Sequence, residues 1–319
     1  MSILFLSEQD VETLADVGTA MEVVEQSFRR LAAGDADNVV RCRAHAPGII
    51  LHSMSAAASY LGRVGWKQYT TTRRGKAQFL VGILDSQSGD LEALIAADRL
   101  GQLRTGATTG VAVRHLAVPD ADAVGLIGSG WQMRSQLAAI CCAREVKLAK
   151  VFSRSAERRE AFAKQMSSDL EIEVMPVGNP DEAVRGLPIV VTATTSKTPV
   201  FDGELVDPGA TVCAVGSNAL NRAEIDGQLI VKATTVACDD VDACRHEAGE
   251  FVEAVRAGWF DWRQAIGLGE VVGGTRTGRG NREEIIIFKS VGLGLEDLAV
   301  GSSLVDLARE RGVGRPLTI

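Results

Sequence analysis

The sequence contains neither a long apolar run nor a cluster of basic residues. No apolar stretch in the 319 residues reaches the roughly 20 that a membrane-spanning helix needs. The start of the chain, Met1 to Glu8, lacks the basic residues that begin a signal peptide. The net charge is −7, and lysines and arginines are spread along the chain. We therefore expect a cytoplasmic protein with no membrane and no nucleic-acid partner.

Cysteine pairs and metal-ligand spacings are also missing. The six cysteines show no C-x-x-C pairing and lie mostly among apolar neighbours, which predicts buried free thiols in a reducing compartment. His45, His52, His115 and His246 show no ligand spacing, so the sequence predicts no metal site. His52 lies in an apolar strand and is interpreted as a core or pocket-wall residue rather than a catalyst.

The first hundred residues combine two helical patterns with strand-like runs. Ser7 precedes acidic residues as a helix cap does, and apolar residues recur at helical spacing from about Thr19 to Ala33. The strand-like runs are Gly48–Met54, Gly62–Tyr69, Phe79–Asp85 and Leu91–Ala96, the last two joined by a Ser86–Gly89 turn. This pattern predicts an α+β unit with antiparallel strands, followed by a helix from Arg99 to Leu116.

After Pro119, short apolar strands alternate with helices. The strands are Ala123–Ile127, Leu148–Phe152, Ile172–Met175, Pro188–Thr192, Thr211–Val215 and Thr234–Ala237, with a helix predicted in each of the first three intervals. Such alternation predicts a parallel sheet with helices on both faces. An amphipathic helix from Gly294 to Gly312 is expected to pack on the first domain.

The fold class that follows is α/β, with a Rossmann-type dinucleotide-binding domain plus an α+β substrate and dimerisation domain. We expect residues 1–118 plus 295–319 to form the substrate-binding domain. The Rossmann NAD(P)-binding domain is expected to span 119–294.

A glycine-containing turn after the strand Ala123–Ile127 predicts the dinucleotide site. Gly128, Ser129, Gly130, Trp131 and Gln132 connect this strand to the next helical pattern. Glycines allow close backbone approach to a pyrophosphate, which then lies at the helix N-terminus. The third glycine of G-x-G-x-x-G is replaced by Met133, and an ordinary strand-to-helix turn is the alternative.

The residues after the next strand indicate which dinucleotide is bound. An NAD site usually has an acidic residue there, for the ribose 2′-hydroxyl. This chain has Ser153, Arg154 and Ser155, with Arg158 one turn further on. A hydroxyl followed by a guanidinium suits a 2′-phosphate, so we expect NADP(H) in preference to NAD(H). The alternative is that Arg154 is a solvated surface charge.

Several motifs, in this order and spacing, resemble the ornithine cyclodeaminase/mu-crystallin family along nearly the whole chain. They are Met54-Ser-Ala56, Lys67, Leu84-Asp85 with Gly89, Leu103-Arg-Thr105, Ile127-Gly-Ser-Gly-Trp-Gln132, Ala214-Val-Gly-Ser-Asn218, Arg222-Ala-Glu224, Leu268-Gly-Glu-Val-Val-Gly273, Phe288-Lys-Ser-Val-Gly292 and Leu295-Glu-Asp297. The resemblance implies a homodimer that binds NAD(P) and acts on α-amino or α-imino acids. Family activities include ornithine cyclodeamination, alanine dehydrogenation and reduction of ketimines such as pyrroline-2-carboxylate.

The resemblance assigns Arg41, Lys67 and Arg104 to the substrate carboxylate, with Arg43 as a competitor for Arg41. Guanidinium groups hold a planar carboxylate by two charge-assisted hydrogen bonds. Lys67 is interpreted as a carboxylate ligand and as the proton donor to the imine nitrogen. The alternatives are structural ion pairs for the arginines and an edge position for Lys67.

Asn218 departs from the family pattern. Cyclodeaminases and the alanine dehydrogenases of this family carry Asp at the matching position. Asn can neither take a proton nor carry a negative charge, but it can hydrogen-bond a substrate or the cofactor amide. We assign Asn218 to the catalytic site, expect imine reduction rather than cyclodeamination, and keep a structural turn as the alternative.

The remaining predicted cofactor contacts are Thr105, Thr194, Thr195, Ser290 and Gly292. Thr105 is expected either to cap a helix or to touch the cofactor phosphates. The resemblance implies that Ser290 and Gly292 lie near the nicotinamide ring, where Ser290 could bond the carboxamide and Gly292 would allow close approach of the backbone. Thr194 and Thr195 follow a sheet strand, at the edge where dinucleotides lie.

The predicted function is NADPH-dependent reduction of a small α-imino acid to an L-amino acid. An ornithine cyclodeaminase and an alanine-type amino-acid dehydrogenase are the enzymatic alternatives. A catalytically inactive, NADPH-loaded binding protein of the crystallin type is the non-enzymatic one. Cofactor consumption and ammonia release distinguish these functions.

Overall fold

The computed structural model describes residues 3–72, 75 and 77–318, which fold into two compact units. One unit comprises Met1–Ala107 with Leu293–Ile319, and the other comprises Thr108–Gly292. The sequence-based domain division, at 118/119 and 294/295, stays a prediction. Within the described ranges, no helix is both long enough and apolar enough to cross a membrane.

The described residues form sixteen strands and ten α-helices. The strands are β1 (Ile3–Leu6), β2 (Ala36–Asn38), β3 (Cys42–Ala46), β4 (Ile49–Ala58), β5 (Arg63–Thr72), β6 (Phe79–Asp85), β7 (Leu91–Ala96), β8 (Ala123–Ile127), β9 (Leu148–Phe152), β10 (Glu173–Pro176), β11 (Ile189–Thr192), β12 (Thr211–Ala214), β13 (Thr235–Cys238), β14 (Ile266–Gly267), β15 (Ile286–Lys289) and β16 (Arg315–Leu317). The helices are α1 (Glu8–Leu14), α2 (Val17–Ala32), α3 (Asp98–Leu116), α4 (Trp131–Ala143), α5 (Ala156–Leu170), α6 (Gly227–Lys232), α7 (Val241–Glu247), α8 (Val252–Arg256), α9 (Leu268–Val272) and α10 (Gly294–Arg311).

The first unit is built on a mainly antiparallel sheet of eight strands. Its order is β16-β1-β7-β6-β5-β4-β2, and β3 also pairs with β4. Among the described strands of this sheet, β1 and β7 form the only parallel pair, and all the other pairs are antiparallel. Met54, Lys67 and Val81 are partners across β4, β5 and β6 and share one face. Helix α10 packs on this face, where a Cβ on Gly65 would lie 2.8 Å from the side chain of Leu298. Helix α10 therefore packs on the sheet of the first unit.

The second unit is built on a parallel sheet of eight strands. Its order is β10-β9-β8-β11-β12-β15-β13-β14, and every neighbouring pair of these described strands is parallel. Strands β9 and β10 lie on one side of β8, and β11, the next strand in the sequence, lies on its other side. Ligands of doubly wound folds bind beside the carboxyl ends of strands at such a reversal. The predicted fold class, Rossmann-type α/β plus α+β, is confirmed.

Three sequence-based predictions of local structure are wrong or incomplete. The helix predicted between β10 and β11 is only a 3₁₀ turn, Pro180–Ala183, because Gly186 at φ +71° ends the short segment that Pro180 begins. Strand β15, which lies between β12 and β13, was not predicted. Nor were β1, β2, β3 and β16, of which β1 and β16 pair with strands that lie far away in the sequence.

The prediction that the cysteines are mostly buried holds for half of them. Cys213, Cys238 and Cys244 are buried, whereas Cys42 and Cys142 are exposed and Cys141 is half-buried. Cys42 is on β3 at the edge of the first sheet, where one side of the strand has no neighbouring strand among the described residues. All six are free thiols in the structure.

Candidate active site

The turn after β8 has the geometry of a phosphate-binding loop. Gly128 adopts φ +115°, and a Cβ at this position would lie 2.7 Å from the carbonyl oxygen of Ala193. Gly130 precedes α4, and in the described part of the chain no side chain caps the first amides of that helix. Uncapped amides at the start of a helix bind anions well. The loop therefore fits the pyrophosphate of a dinucleotide.

The side chains around this loop differ in their exposure to solvent. Met133, where the third glycine of the fingerprint would stand, is fully buried and packs in the core. Trp131 is 47% exposed at the first turn of α4. The side-chain oxygen of Gln132 is buried and accepts no hydrogen bond from the described residues. Ser129 donates from its hydroxyl to Ser153 Oγ at 2.8 Å, which links the loop to the end of β9.

The end of β9 carries hydroxyl and guanidinium groups. The Ser153 hydroxyl donates to the Ser155 carbonyl at 3.2 Å, and Ser155 caps α5 by accepting from the Arg158 amide at 3.3 Å. Arg159, one turn into α5, donates to the Ser153 carbonyl at 3.0 Å. Arg154 and Arg158 are exposed. No carboxylate stands at positions 153–155, where an NAD site usually has one.

The loops after β11 and β12 are joined by one buried carboxylate, that of Glu224. Glu224 accepts hydrogen bonds from the Thr194 amide at 2.6 Å, the Gly216 amide at 2.7 Å and the Thr192 hydroxyl at 3.0 Å. Burial raises the pKa of Glu224, while Lys289 and these hydrogen bonds act in the opposite direction. Thr194 and Thr195 thus follow β11 at the predicted edge, in a loop whose backbone Glu224 fixes.

A second buried carboxylate, Asp239, fixes the segment after β15. One of its oxygens accepts hydrogen bonds from the Ser290 hydroxyl (2.8 Å), the Val291 amide (2.8 Å) and the Gly292 amide (2.7 Å). Gly292 adopts φ +80°, a conformation that favours glycine. Because the Ser290 hydroxyl proton is donated to Asp239, this hydroxyl can serve a carboxamide only as an acceptor. Asp239 was not predicted, although it lies directly after β13 at the carboxyl edge.

In the first unit, the predicted carboxylate ligands Lys67 and Arg104 meet two buried acids. Lys67 Nζ lies 2.7 Å from Asp297 Oδ1, and Arg104 donates to Glu296 at 2.7 Å. Arg104 Nε lies 3.2 Å from the same oxygen of Asp297. Both acids belong to the first turn of α10 and are 1% exposed or less. Glu296 and Asp297 stand in a quoted family motif, but the sequence analysis gave them no role.

The environment of Lys67 lowers the pKa of its ammonium group to about 8. Burial is the largest cause, and the charges of Arg104 and Arg41 act in the same direction, whereas Asp297 raises the pKa. The backbone of α3 comes close as well, since a Cβ on Gly101 would lie 3.1 Å from Lys67 Nζ. Thr105, also on α3, donates its hydroxyl to the Gly101 carbonyl at 2.7 Å.

Arg41 lies beside an aromatic stack next to Lys67. Its guanidinium carbon is 5.9 Å from the ring centre of Tyr69, and the Tyr69 ring stacks on His52 with centroids 4.3 Å apart. His52 meets the Thr71 hydroxyl at 3.0 Å. Burial, followed by the charges of Arg43, Arg41 and His45, lowers the pKa of His52 to about 4. His52 is therefore neutral at pH 7 and does not act as an acid there.

Among the described residues, no group of three or more His, Cys, Asp or Glu side chains could hold a metal ion. Each unit presents its own set of chemically active groups. The first unit presents three cations and two carboxylates, namely Arg41, Lys67, Arg104, Glu296 and Asp297. The second unit presents a turn with the geometry of a phosphate-binding loop and two backbone segments fixed by buried acids.

Comparisons with known proteins agree with these features. A Delta(1)-pyrroline-2-carboxylate reductase of Bacillus cereus is 33% identical over 268 residues, which are 82% of each chain. The solved Thermococcus litoralis Delta(1)-pyrroline-2-carboxylate reductase, in complex with NADH and L-proline, matches with a TM-score of 0.95 and 29% identity. That match covers 99% of this chain and 100% of that one. An archaeal alanine dehydrogenase dimer with bound NAD matches over 100% of both chains, with a TM-score of 0.94 and 28% identity.

The family assignment follows from a match over almost the whole length. The sequence model of the ornithine cyclodeaminase/mu-crystallin family matches residues 1–312. The quoted motifs all lie within that range, from Met54 to Asp297. The chain belongs to the ornithine cyclodeaminase/mu-crystallin family.

Proposed function

We propose that this protein reduces small α-imino acids to L-amino acids with NADPH. The observation that carries the proposal is the buried ammonium group of Lys67, 2.7 Å from Asp297 and within the electrostatic influence of Arg104 and Arg41. Such a site can bind a carboxylate and deliver a proton to a neighbouring nitrogen. The similarity to pyrroline-2-carboxylate reductases over most of the chain supports the same reaction class.

The charges of the first unit suit a substrate with one carboxylate. Arg41, Lys67 and Arg104 contribute three positive charges, and Glu296 and Asp297 contribute two negative ones. These cations can bind a carboxylate by charge-assisted hydrogen bonds. We propose a monocarboxylic imino acid such as pyrroline-2-carboxylate as the preferred substrate, which the similarity to pyrroline-2-carboxylate reductases supports.

Lys67 is proposed as the proton donor to the imine nitrogen. With a pKa of about 8, its ammonium group is mostly protonated at pH 7 and acidic enough to give up a proton. Reduction of the C=N bond adds a hydride at Cα and a proton at nitrogen, so Lys67 Nζ ends neutral and regains a proton from solvent. NADPH, when bound, supplies the hydride. Asn218 is proposed to hydrogen-bond the substrate or the cofactor amide.

The cofactor is proposed to bind along the carboxyl edge of the second sheet. Gly128, Ser129, Gly130, Trp131 and Gln132 would hold the pyrophosphate. Ser153, Arg154, Ser155 and Arg158 would hold the 2′-phosphate, and Thr105, Thr194, Thr195, Ser290 and Gly292 complete the proposed contacts. The relatives compared above carry NADH or NAD. The preference for NADPH therefore rests on the exposed guanidinium groups after β9 and on the missing carboxylate there.

A homodimer is proposed to form through the sheet face opposite α10. Trp66, Leu80, Leu84 and Leu94 share that face, and each is exposed or half-buried. The Trp66 ring lies directly on Gly82, where a Cβ would be 2.3 Å from a ring carbon. An accessible apolar face of this kind is typical of an interface between subunits. The dimeric state of the archaeal alanine dehydrogenase supports the proposal.

The test follows NADPH absorbance with purified protein and a panel of cyclic and linear imino acids. Ammonia is assayed in parallel with L-ornithine as the substrate. Consumption of NADPH with pyrroline-2-carboxylate, with a slower reaction for iminosuccinate, supports the proposal. Ammonia from ornithine without net change in NADPH would instead establish a cyclodeaminase.

Lys67→Met tests the proton donor against a matched control. Methionine keeps the length of the side chain but has no proton to donate. The variant is expected to lose activity by about 100-fold or more, in the range of general acid catalysis. The control is Lys147→Met, which removes a 69% exposed lysine paired only with Asp122 among the described residues. Equal activity in both variants would contradict the role of Lys67.

A further inference from the structure

We infer that Lys289 is a positioning residue that holds the loop of Asn218 through the Ser217 carbonyl, and this inference rests on the function proposed above. Lys289 is the last residue of β15 and is fully buried. Its ammonium group donates to the Ser217 carbonyl at 2.8 Å and to Glu250 Oε1 at 3.0 Å. Ser217 directly precedes Asn218, so the bond fixes the peptide that carries the proposed catalytic amide.

The same loop is held from its other side. The amide of Gly216 donates to Glu224 at 2.7 Å, one residue before the carbonyl that Lys289 holds. A Cβ on Gly216 would lie 2.4 Å from the Thr194 amide nitrogen, so the loop packs backbone against backbone. A Cβ on Gly249, beside Glu250, would lie 2.1 Å from the Arg222 carbonyl oxygen. The segment 216–222 therefore has little freedom to shift.

Lys289 also connects this loop to the segment expected beside the nicotinamide. The chain continues from Lys289 into Ser290, Val291 and Gly292, which donate to Asp239. One residue thus touches the Asn218 loop with its side chain and begins the second fixed segment with its backbone. The relative position of Asn218 and the Ser290–Gly292 segment depends on Lys289.

A purely stabilising ion pair explains these contacts less well. Lys289 follows Ile286, Ile287 and Phe288, which are fully buried, and an apolar residue at its position would avoid the desolvation of two charges. Burial lowers the pKa of Lys289, but the charges of Glu250 and Glu224 outweigh burial and raise it, so the group stays charged. The second oxygen of Glu250 is buried and accepts no hydrogen bond from the described residues. The Lys289–Glu250 ion pair thus leaves one carboxylate oxygen without a hydrogen bond, whereas the bond from Lys289 to the Ser217 carbonyl is short.

The test compares a single with a charge-balanced double variant. Lys289→Met alone leaves Glu250 buried without its cation, so we expect a large drop in Tm and no clear conclusion about catalysis. Lys289→Met/Glu250→Gln removes both charges and is expected to regain most of the Tm. A positioning role predicts that kcat nevertheless stays about 100-fold low, as for a small misplacement of a catalytic group, with the Kd for NADPH changed little.

Two further measurements separate this inference from the proposed function. Amide hydrogen exchange over 215–224 should become faster in the double variant and stay unchanged elsewhere in the second unit. Lys232→Met is the matched control, because Lys232, on α6, likewise donates its ammonium group to backbone carbonyls, those of Glu204 and Val206. The control should leave kcat and exchange over 215–224 unchanged.

Each outcome decides one of the two claims. Recovery of both Tm and kcat in the double variant overturns the positioning role, since Lys289 would then be only a counter-ion. Unchanged exchange over 215–224 overturns it as well, whether or not the protein reduces imino acids. If the wild-type protein reduces no imino acid but exchange over 215–224 does become faster, the proposed function fails and the role of Lys289 in holding the loop stands.

Discussion

At the scale of single residues, the cations Lys67 and Arg104 pair with acids that lie far away in the sequence. Lys67 and Asp297 are separated by 230 positions, and Arg104 and Glu296 by 192. The resemblance identified the cations because they recur at defined places in the motifs. The acids that pair with Lys67 and Arg104 become visible only when α10 packs on the sheet.

Asp297→Asn is expected to move the pH dependence of the reaction. Asp297 raises the pKa of Lys67, so its loss lowers that pKa from about 8. Because the ammonium form donates the proton, kcat/KM falls as pH rises through the pKa of Lys67, and this fall should occur at lower pH in the variant. A profile of kcat/KM from pH 6 to about 10 measures the shift.

The control for this prediction lies on the same helix. Asp306→Asn removes a carboxylate of α10 that pairs with Arg63 instead of Lys67. Its profile should match that of the wild type. A profile of Asp297→Asn that coincides with the wild type would exclude Lys67 as the group that titrates.

Asn218→Asp is expected to increase cyclodeaminase activity. The resemblance implies Asp at this position in cyclodeaminases, and a carboxylate can bind an amine or accept a proton where an amide cannot. Ammonia release from L-ornithine should rise by about 100-fold, the usual effect of an added acid–base group. An unchanged rate would mean that Asn218 is not what separates the two reactions.

At the scale of elements, bounded apolar runs were predictable and long-range pairings were not. Strands β6, β7, β8 and β9 have the predicted ends, because turn residues or a change of pattern mark both sides of each run. Strand β15 was missed, because the acidic residues before it and Lys289 within it hide a fully buried strand. The buried lysine contradicts the apolar pattern because it serves the neighbouring loop.

The loop after β9 is expected to decide between the two dinucleotides. Arg154→Ala removes an exposed guanidinium that is proposed to bind the 2′-phosphate. Loss of one charge-assisted hydrogen bond should raise the KM for NADPH about 10-fold or more and leave the KM for NADH unchanged.

The matched control replaces an exposed arginine elsewhere in the same unit. Arg185→Ala, beyond the 3₁₀ turn Pro180–Ala183, should affect neither KM. Equal increases in both KM values for Arg154→Ala would show that Arg154 does not recognise the 2′-phosphate.

At the scale of the whole molecule, the two-part fold and the family were predictable from motif order, whereas assembly was not. The sequence showed which strands are apolar, but only the structure shows that one sheet face is covered by α10 and the other is left accessible. Cofactor preference and cytoplasmic location stay predictions, since both rest on the sequence pattern.

Charges on the accessible sheet face are expected to separate the proposed dimer. Leu80→Arg/Leu94→Arg places two cations on the face that carries Trp66, and burying them against the same face of a second copy would cost several kcal/mol. Light scattering after size exclusion should report a monomer of half the wild-type mass. Val231→Arg, at a position 61% exposed on α6, should remain a dimer. A double variant that stays dimeric places the interface elsewhere.

The most direct test of the central claim follows the transferred hydride into the product. The protein is incubated with pyrroline-2-carboxylate and NADPH that carries deuterium on one or the other face of nicotinamide C4, in two separate reactions. The product is analysed by chiral chromatography coupled to mass spectrometry. Our account predicts L-proline with one deuterium at Cα from one of the two labelled cofactors. Proline without deuterium from either cofactor, or no proline at all, would contradict it.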